Sequence, residues 1–238
     1  MNVLVTGASR GIGKAIALKF ASLKHNVVIV YNKSDYTQVE EFREYLENKY
    51  SITCLAIKCD VSMENEVVKL FDKIKIKLGY LDCIVNNAGI SKDEEIDSKT
   101  ADSFMKVIKV NLLGTFLVCK YGIKLMDKGS IVNISSNNAF GGFIESVDYD
   151  ASKAGVIALT HDFAKFLAPN IRVNCVCPGW INTDMNKDMF LEFKHQEEEK
   201  ILLKRFGEVE DIADTVYFLA TNKYINDAVI KVDGGYEN

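Results

Sequence analysis

Short apolar runs alternate with amphipathic stretches from one end of the chain to the other. The runs favour β-branched residues and read as strands near residues 2–6, 26–31, 52–58, 83–86, 130–134, 171–177 and 228–232. Between them the apolar spacing is helical. The clearest helix follows the third strand, where Val67, Val68, Phe71, Ile74 and Leu78 share a helical period. Ser62 stands ahead of them as an N-cap and Gly79 ends the stretch. Alternating strands and helices imply βαβ units and a parallel sheet. No internal repeat and no linker rich in Gly, Ser or Pro interrupts the pattern. The expected architecture is therefore α/β, a doubly wound parallel sheet in one domain spanning residues 1–238.

Composition narrows the partners. With 238 residues and 48% hydrophobic content, the chain can bury one large core. A net charge of −4 and a pI near 5.5, without a basic stripe, argue against nucleic acid or an anionic membrane and for a small molecule. The first residues enter a strand with no charged leader, and no apolar run approaches bilayer length, so the expected location is cytoplasmic. Six cysteines lie in apolar patterns without C-x-x-C or a histidine cluster, which predicts neither disulfides nor a zinc site. Cys175 and Cys177 share one face of a strand, as core residues do.

Candidate chemistry begins at the first βα turn, Thr6-Gly7-Ala8-Ser9-Arg10-Gly11-Ile12-Gly13, which opens a helix expected over residues 14–23. Glycines there permit a tight turn and close backbone approach, while a helix N-terminus offers free amides to a pyrophosphate. The spacing, G-x-x-x-G-x-G, differs from the commoner G-x-G-x-x-G. At the end of the second strand, where a carboxylate usually holds the ribose of NAD, stands Asn32, with Lys33 next to it and Arg10 in the first turn. That favours NADP(H). Asp35 is assigned to capping the next helix instead.

A second constellation lies downstream. Tyr149 and Lys153, four residues apart, share a helix face, so the ammonium can sit near the phenol and favour its ionised form. Ser136, thirteen residues before Tyr149, ends a β-rich run, and ligands in open parallel sheets bind beyond such strand ends. Tyr45 and Lys49 repeat the spacing without a serine-bearing strand end before them, and read as a solvated helix face. So does Glu197-Glu198-Glu199. His161 and His195 lack partners suggesting metal or catalysis. Trp180 could wall a substrate pocket or pack on a lid.

These residues together resemble the short-chain dehydrogenase/reductase family across essentially the whole chain. The matching signals are Thr6 to Gly13, Asp60-Val61, Asn86-Asn87-Ala88-Gly89, Asn111, Ser136, Tyr149 with Lys153, and Pro178-Gly179-Trp180-Ile181-Asn182-Thr183. The resemblance implies a Rossmann-type seven-stranded sheet of order 3-2-1-4-5-6-7 with helices on both faces, and a homotetramer. It implies catalysis by Ser136, Tyr149, Lys153 and Asn111, the last holding a water that links Lys153 to solvent. Cofactor contacts follow at Gly7, Ser9, Arg10, Gly11, Ile12, Gly13, Asn32, Lys33, Asp60, Val61, Asn87, Ala88, Gly89, Tyr149, Lys153, Pro178, Gly179, Ile181 and Thr183. Asp60 could instead cap the following helix, and Asn87 could be structural in part. A substrate lid is expected over about residues 184–207.

Within the family the pattern is most similar to bacterial 3-oxoacyl acyl-carrier-protein reductases, through Thr183-Asp184-Met185 and Val232-Asp233-Gly234-Gly235 as well as the first turn. Two positions that bear on carrier docking depart from it. Asp127 and Pro169 stand where carrier-docking relatives have arginines, leaving Lys120, Lys124 and Lys128 as another basic surface. A third difference lies around Arg205-Phe206-Gly207, where Leu202 and Val209 stand at positions that relatives often fill with proline. The expected substrate is a small-molecule or thioester carbonyl compound. Readings of other classes are a non-catalytic NADP(H)-binding regulator, which need not retain Ser136, Tyr149 and Lys153 together, and a sugar-nucleotide epimerase or dehydratase, which needs a larger carboxyl-terminal substrate domain.

Overall fold

A computed structural model describes residues 1–183 and 190–237. The strands are β1 (Asn2–Thr6), β2 (Asn26–Tyr31), β3 (Cys54–Lys58), β4 (Cys83–Asn86), β5 (Gly129–Ile134), β6 (Ile171–Pro178) and β7 (Val229–Val232). They form one seven-stranded sheet, ordered β3-β2-β1-β4-β5-β6-β7, in which every pairing is parallel. The helices among the described residues are α1 (Gly11–Ser22), α2 (Tyr36–Tyr50), α3 (Glu64–Lys77), α4 (Ala101–Ile108), α5 (Gly114–Gly122), α6 (Asn138–Gly141), α7 (Val147–Leu167), α8 (Leu191–Lys200) and α9 (Val209–Thr221).

The strands are apolar on both faces because helices cover both. Successive side chains of β1 and β2 divide between two cores. Val3, Val5, Val27 and Ile29 join Ile16, Phe20, Leu46 and Val216 from α1, α2 and α9. Leu4, Val28 and Val30 join Val67, Phe71, Leu117 and Ala164 from α3, α5 and α7. A period-two strand buried on both sides thus reads in sequence as an unbroken apolar run. The strand order reverses between β1 and β4, which opens a crevice at the carboxyl ends of the strands.

Local punctuation departs from expectation at α3. Ser62 does not cap it: its amide and hydroxyl both bond Asp60 Oδ1, at 3.0 and 2.6 Å, so its polar groups are spent on the turn before the helix. The N-cap position belongs to Met63, which has no side-chain cap bond. Glu66, from the first turn of α3, accepts instead from the Asp60 amide at 2.8 Å. Gly79 ends the helix as read, with φ of 81°. Among the described residues no helix is long and apolar enough to cross a membrane.

Candidate active site

Beyond β1 the chain turns through Gly7 at φ of 65° and re-enters as α1. The turn is tied to the end of β4. Thr6 Oγ1 accepts from the amides of Asn87 and Ala88, each at 2.9 Å, and Asn87 Nδ2 donates to the carbonyls of Thr6 and Gly7 at 2.9 and 3.2 Å. A Cβ at Gly13 would lie 2.2 Å from the Gly7 oxygen and 2.5 Å from Asn87 Nδ2, so only glycine fits there. Arg10, extended at the N-cap, makes no side-chain cap bond, which leaves the first amides of α1 open to a ligand. Asn87 is thus structural through its side chain, one of the two roles read for it.

The ends of β2 and β3 form the next part of the wall. The Asp60 carboxyl is pushed up by burial, but hydrogen bonds from Ser62 and Asn32 and the charge of Lys33 outweigh this and hold it below the usual range. Asp35 turns away: its Oδ1 accepts from the amides of Thr37 and Gln38, at 2.9 and 3.2 Å, and caps α2. Ser9 and Ser34 join hydroxyls at 2.7 Å.

An open cleft of about 1770 Å³ runs from this glycine turn to Ser136, Tyr149 and Lys153, larger than the usual small-ligand pocket and roomy enough for a dinucleotide with a substrate. All the residues singled out as cofactor contacts line it, together with Ser136. Asn111 does not appear among its lining residues. It sits on a one-turn π-helix, Lys109–Leu113, between α4 and α5. Its Oδ1 accepts from the Ile90 amide at 2.8 Å, and its Nδ2 donates to the Ile90 carbonyl at 2.9 Å and to Ser152 Oγ at 3.0 Å. Its main-chain carbonyl accepts from Thr115 Oγ1 at 2.7 Å. The side chain therefore fastens the segment after β4 to α7.

Ser136, Tyr149 and Lys153 converge where α7 crosses the end of β5. Burial pushes the Tyr149 phenol up to about 12, against a hydrogen bond with Ser136 that lowers it. The Lys153 ammonium lies 5.4 Å from the Tyr149 ring centroid and donates to the Ile134 carbonyl at 2.9 Å. Burial pulls it down to about 8. The lysine is thus near the phenol, as the i,i+4 spacing predicts, but its hydrogen bond goes to the backbone. On the exposed face of α2 the spacing twin Lys49 bonds the Tyr45 hydroxyl directly. Asp150, behind Tyr149, bonds Asn138 Nδ2 at 2.9 Å and the Phe143 amide, fixing the loop after β5.

At the far end of the cleft Trp180, Phe193, Phe143 and Tyr236 form aromatic walls. Trp180 stacks on Phe206 at 5.6 Å and meets Phe193 edge-on at 6.0 Å, so it serves both as pocket wall and as packing for the following segment. Residues 184–189 of the expected lid, including Asp184 and Met185, lie outside the described residues. Glu197 corrects the expectation of a solvated face: only 2% of it is exposed, and it accepts bonds from Trp180, Tyr236 and Lys200. Lys200 is a local partner three residues on, but Trp180 and Tyr236 come from other segments, which no local charge pattern could reveal. Cys175 and Cys177 are fully buried with sulfurs 3.9 Å apart, core residues as read.

A family model described as enoyl-(acyl carrier protein) reductase matches residues 7–237. The chain is 40% identical over 238 residues to the 3-oxoacyl-acyl-carrier-protein reductase FabG of Aquifex aeolicus, covering 98% of this chain and 95% of that one. It is equally 40% identical, over 240 residues, to carbonyl reductase family member 4 of Xenopus laevis, covering 98% and 96%. Among solved structures, a short-chain dehydrogenase from Burkholderia cenocepacia in complex with NADP superposes with a TM-score of 0.92 at 31% identity, covering 98% of this chain and 96% of that one. Sequence, sheet order and cleft agree, and the chain belongs to the short-chain dehydrogenase/reductase family of oxidoreductases.

Proposed function

We propose that the protein is an NADPH-dependent carbonyl reductase acting on a ketone or 3-oxoacyl thioester. The observation that carries this reading is the convergence of Ser136, Tyr149 and Lys153 in the cleft that begins at the glycine turn. The residues present fit the cofactor: Gly13 tolerates no side chain, α1 offers uncapped amides, and Asn32, Lys33 and Arg10 replace an acid at the ribose. When bound, the nicotinamide supplies hydride to the carbonyl carbon.

The chain's own residues manage the proton and the oxygen. Tyr149, held protonated by burial, donates its proton to the alkoxide as it forms, and Ser136 hydrogen-bonds the same oxygen. Lys153 keeps a positive charge beside the phenol and, by family likeness, holds the nicotinamide ribose. Asn111 keeps α7 in place against the segment after β4, through Ser152 and Ile90. The relatives' names, a 3-oxoacyl-acyl-carrier-protein reductase and a carbonyl reductase, support a carbonyl substrate. By the same likeness the chain is read as one cytoplasmic domain with a lid, assembled as a homotetramer.

Titration with NADPH and NADH tests the cofactor. A charge-assisted contact from Lys33 or Arg10 to the 2′-phosphate contributes about 1.5–3 kcal/mol, so NADPH should bind about ten-fold tighter or more. Equal affinity would overturn the preference. A panel of ketones and acetoacetyl thioesters, followed by NADPH absorbance, tests the reaction, and turnover of none of them would refute it.

A further inference from the structure

Glu197 is a carboxylate buried to 2% exposure on α8, a helix whose other acidic residues are half-buried or exposed. Burying such a group is costly unless its oxygens are hydrogen-bonded. Here they are. Oε2 accepts from Trp180 Nε1 at 2.8 Å and from the Tyr236 hydroxyl, and Oε1 accepts from Lys200 Nζ at 2.6 Å. These donors come from the segment after β6, the segment after β7 and the end of α8 itself. The same segments are stitched by backbone bonds, from Leu202 and Leu203 to the carbonyls of Gly235 and Gly234 at 3.2 and 3.1 Å and from Glu237 to Lys200 at 3.0 Å.

Trp180 and Tyr236 line the cleft, whereas Glu197 stands behind them. A leucine of similar volume would pack against the aromatic rings without the cost of desolvating a charge, so stability alone does not account for a carboxylate here. What the carboxylate adds is direction. Two donors sharing one oxygen fix the rotation of the indole and of the phenol, and hence the faces they present to a substrate.

We propose that Glu197 is a positioning residue that sets Trp180 and Tyr236 as the walls of the substrate end, governing recognition of the apolar part of a ketone substrate rather than hydride transfer. This rests on the reductase reading. It extends that reading to substrate selection by a residue that touches neither substrate nor cofactor.

Trp180 is the chain's only tryptophan, so intrinsic emission reports on it directly. Glu197→Leu, which packs in the same space but removes the acceptor of the indole N–H, should shift that emission and change its acrylamide quenching. It should raise KM for the best ketone substrate about ten-fold, the loss of a charge-assisted bond, while kcat and the Kd of NADPH stay within about two-fold. Glu197→Gln keeps the shape with a neutral acceptor and should fall between wild type and leucine in both readouts. Unchanged emission in Glu197→Leu overturns the proposal, as does a shifted emission with an unaltered KM. If the leucine variant does not fold, a glutamine variant identical to wild type in both readouts overturns it. Should the wild type reduce no ketone, the reductase reading fails alone, and the emission of the two variants still decides whether Glu197 holds the indole.

Discussion

Burial sets the chemistry of the two ionisable groups at the centre of the cleft. It pushes the Tyr149 phenol up to about 12 and pulls Lys153 down to about 8. A phenol so placed keeps its proton at neutral pH, as an acid for reduction must. Tyr149→Phe should therefore lower kcat about 10²- to 10⁴-fold while the Kd of NADPH barely changes, and Tyr45→Phe should leave both alone; steady-state rates and fluorescence titration check this. The lysine gives a pH dependence of definite sign. Below about 8 it is charged, and above that value it is neutral, so kcat/KM for reduction should fall as pH rises through this region. Lys153→Met should abolish that limb of the profile, and a profile unchanged by the substitution would remove Lys153 from the mechanism. The pairing of Tyr149 with Lys153 was legible in the sequence. The Ile134 carbonyl that holds the ammonium was not, because a main-chain acceptor leaves no mark on residue type.

The elements were legible where the apolar pattern alone decides them, and blurred where side chains compete for the backbone. Each predicted strand is present to within two residues, and α1 begins at Gly11 rather than residue 14. Ser62 failed as a cap because Asp60 had already taken its polar groups, a choice between two neighbours that a capping rule cannot resolve. The first βα turn depends on Gly13. Gly13→Ala would force its Cβ into the Gly7 carbonyl, so a loss of about 1–3 kcal/mol by chemical denaturation should accompany weakened NADPH binding. The start of α7 depends on an ion pair invisible to local reading. Lys99 meets Asp148 at 2.8 Å, with side-chain exposures of 2% and 0%, and thereby ties the segment after β4 to the turn that carries Tyr149. Asp148→Asn removes the buried carboxylate and leaves the ammonium only the Lys92 carbonyl at 2.8 Å and the Glu94 carboxylate at 3.9 Å, and should cost up to about 3 kcal/mol in a denaturant melt. The paired change Lys99→Met with Asp148→Leu should recover most of that loss, because replacing both charges removes the desolvation penalty as well as the attraction. Failure of the double variant to recover would mean that the pair contributes through geometry specific to the charges.

At the scale of the molecule, the sheet order places the glycine turn and the Tyr149 helix on opposite sides of the strand reversal, so one crevice reaches both. Surface charge then bears on what form the substrate takes. Neither Asp127 nor Pro169 offers a positive charge to an acidic carrier, and two of the three lysines of the basic surface, Lys120 and Lys124, already have partners. Lys120 pairs with Glu64 at 2.8 Å, and Lys124 lies over the Tyr121 ring at 4.8 Å. An acidic carrier approaching this face would have to compete with Glu64 for Lys120, on a chain whose net charge is −4. Encounter complexes steered by opposite charges weaken steeply as salt rises, whereas recognition of a small neutral ketone does not. We therefore expect kcat/KM to vary little with ionic strength for any active substrate, and attachment to a carrier to bring no large gain. The measurement is kcat/KM for free and carrier-linked forms of one ketone across a salt series. A strong preference for the carrier-linked form that collapses with added salt would overturn this expectation. Glu64→Gln would then identify the surface: by freeing Lys120 it should increase the salt-sensitive preference if the carrier docks there, and leave it unchanged if it docks elsewhere.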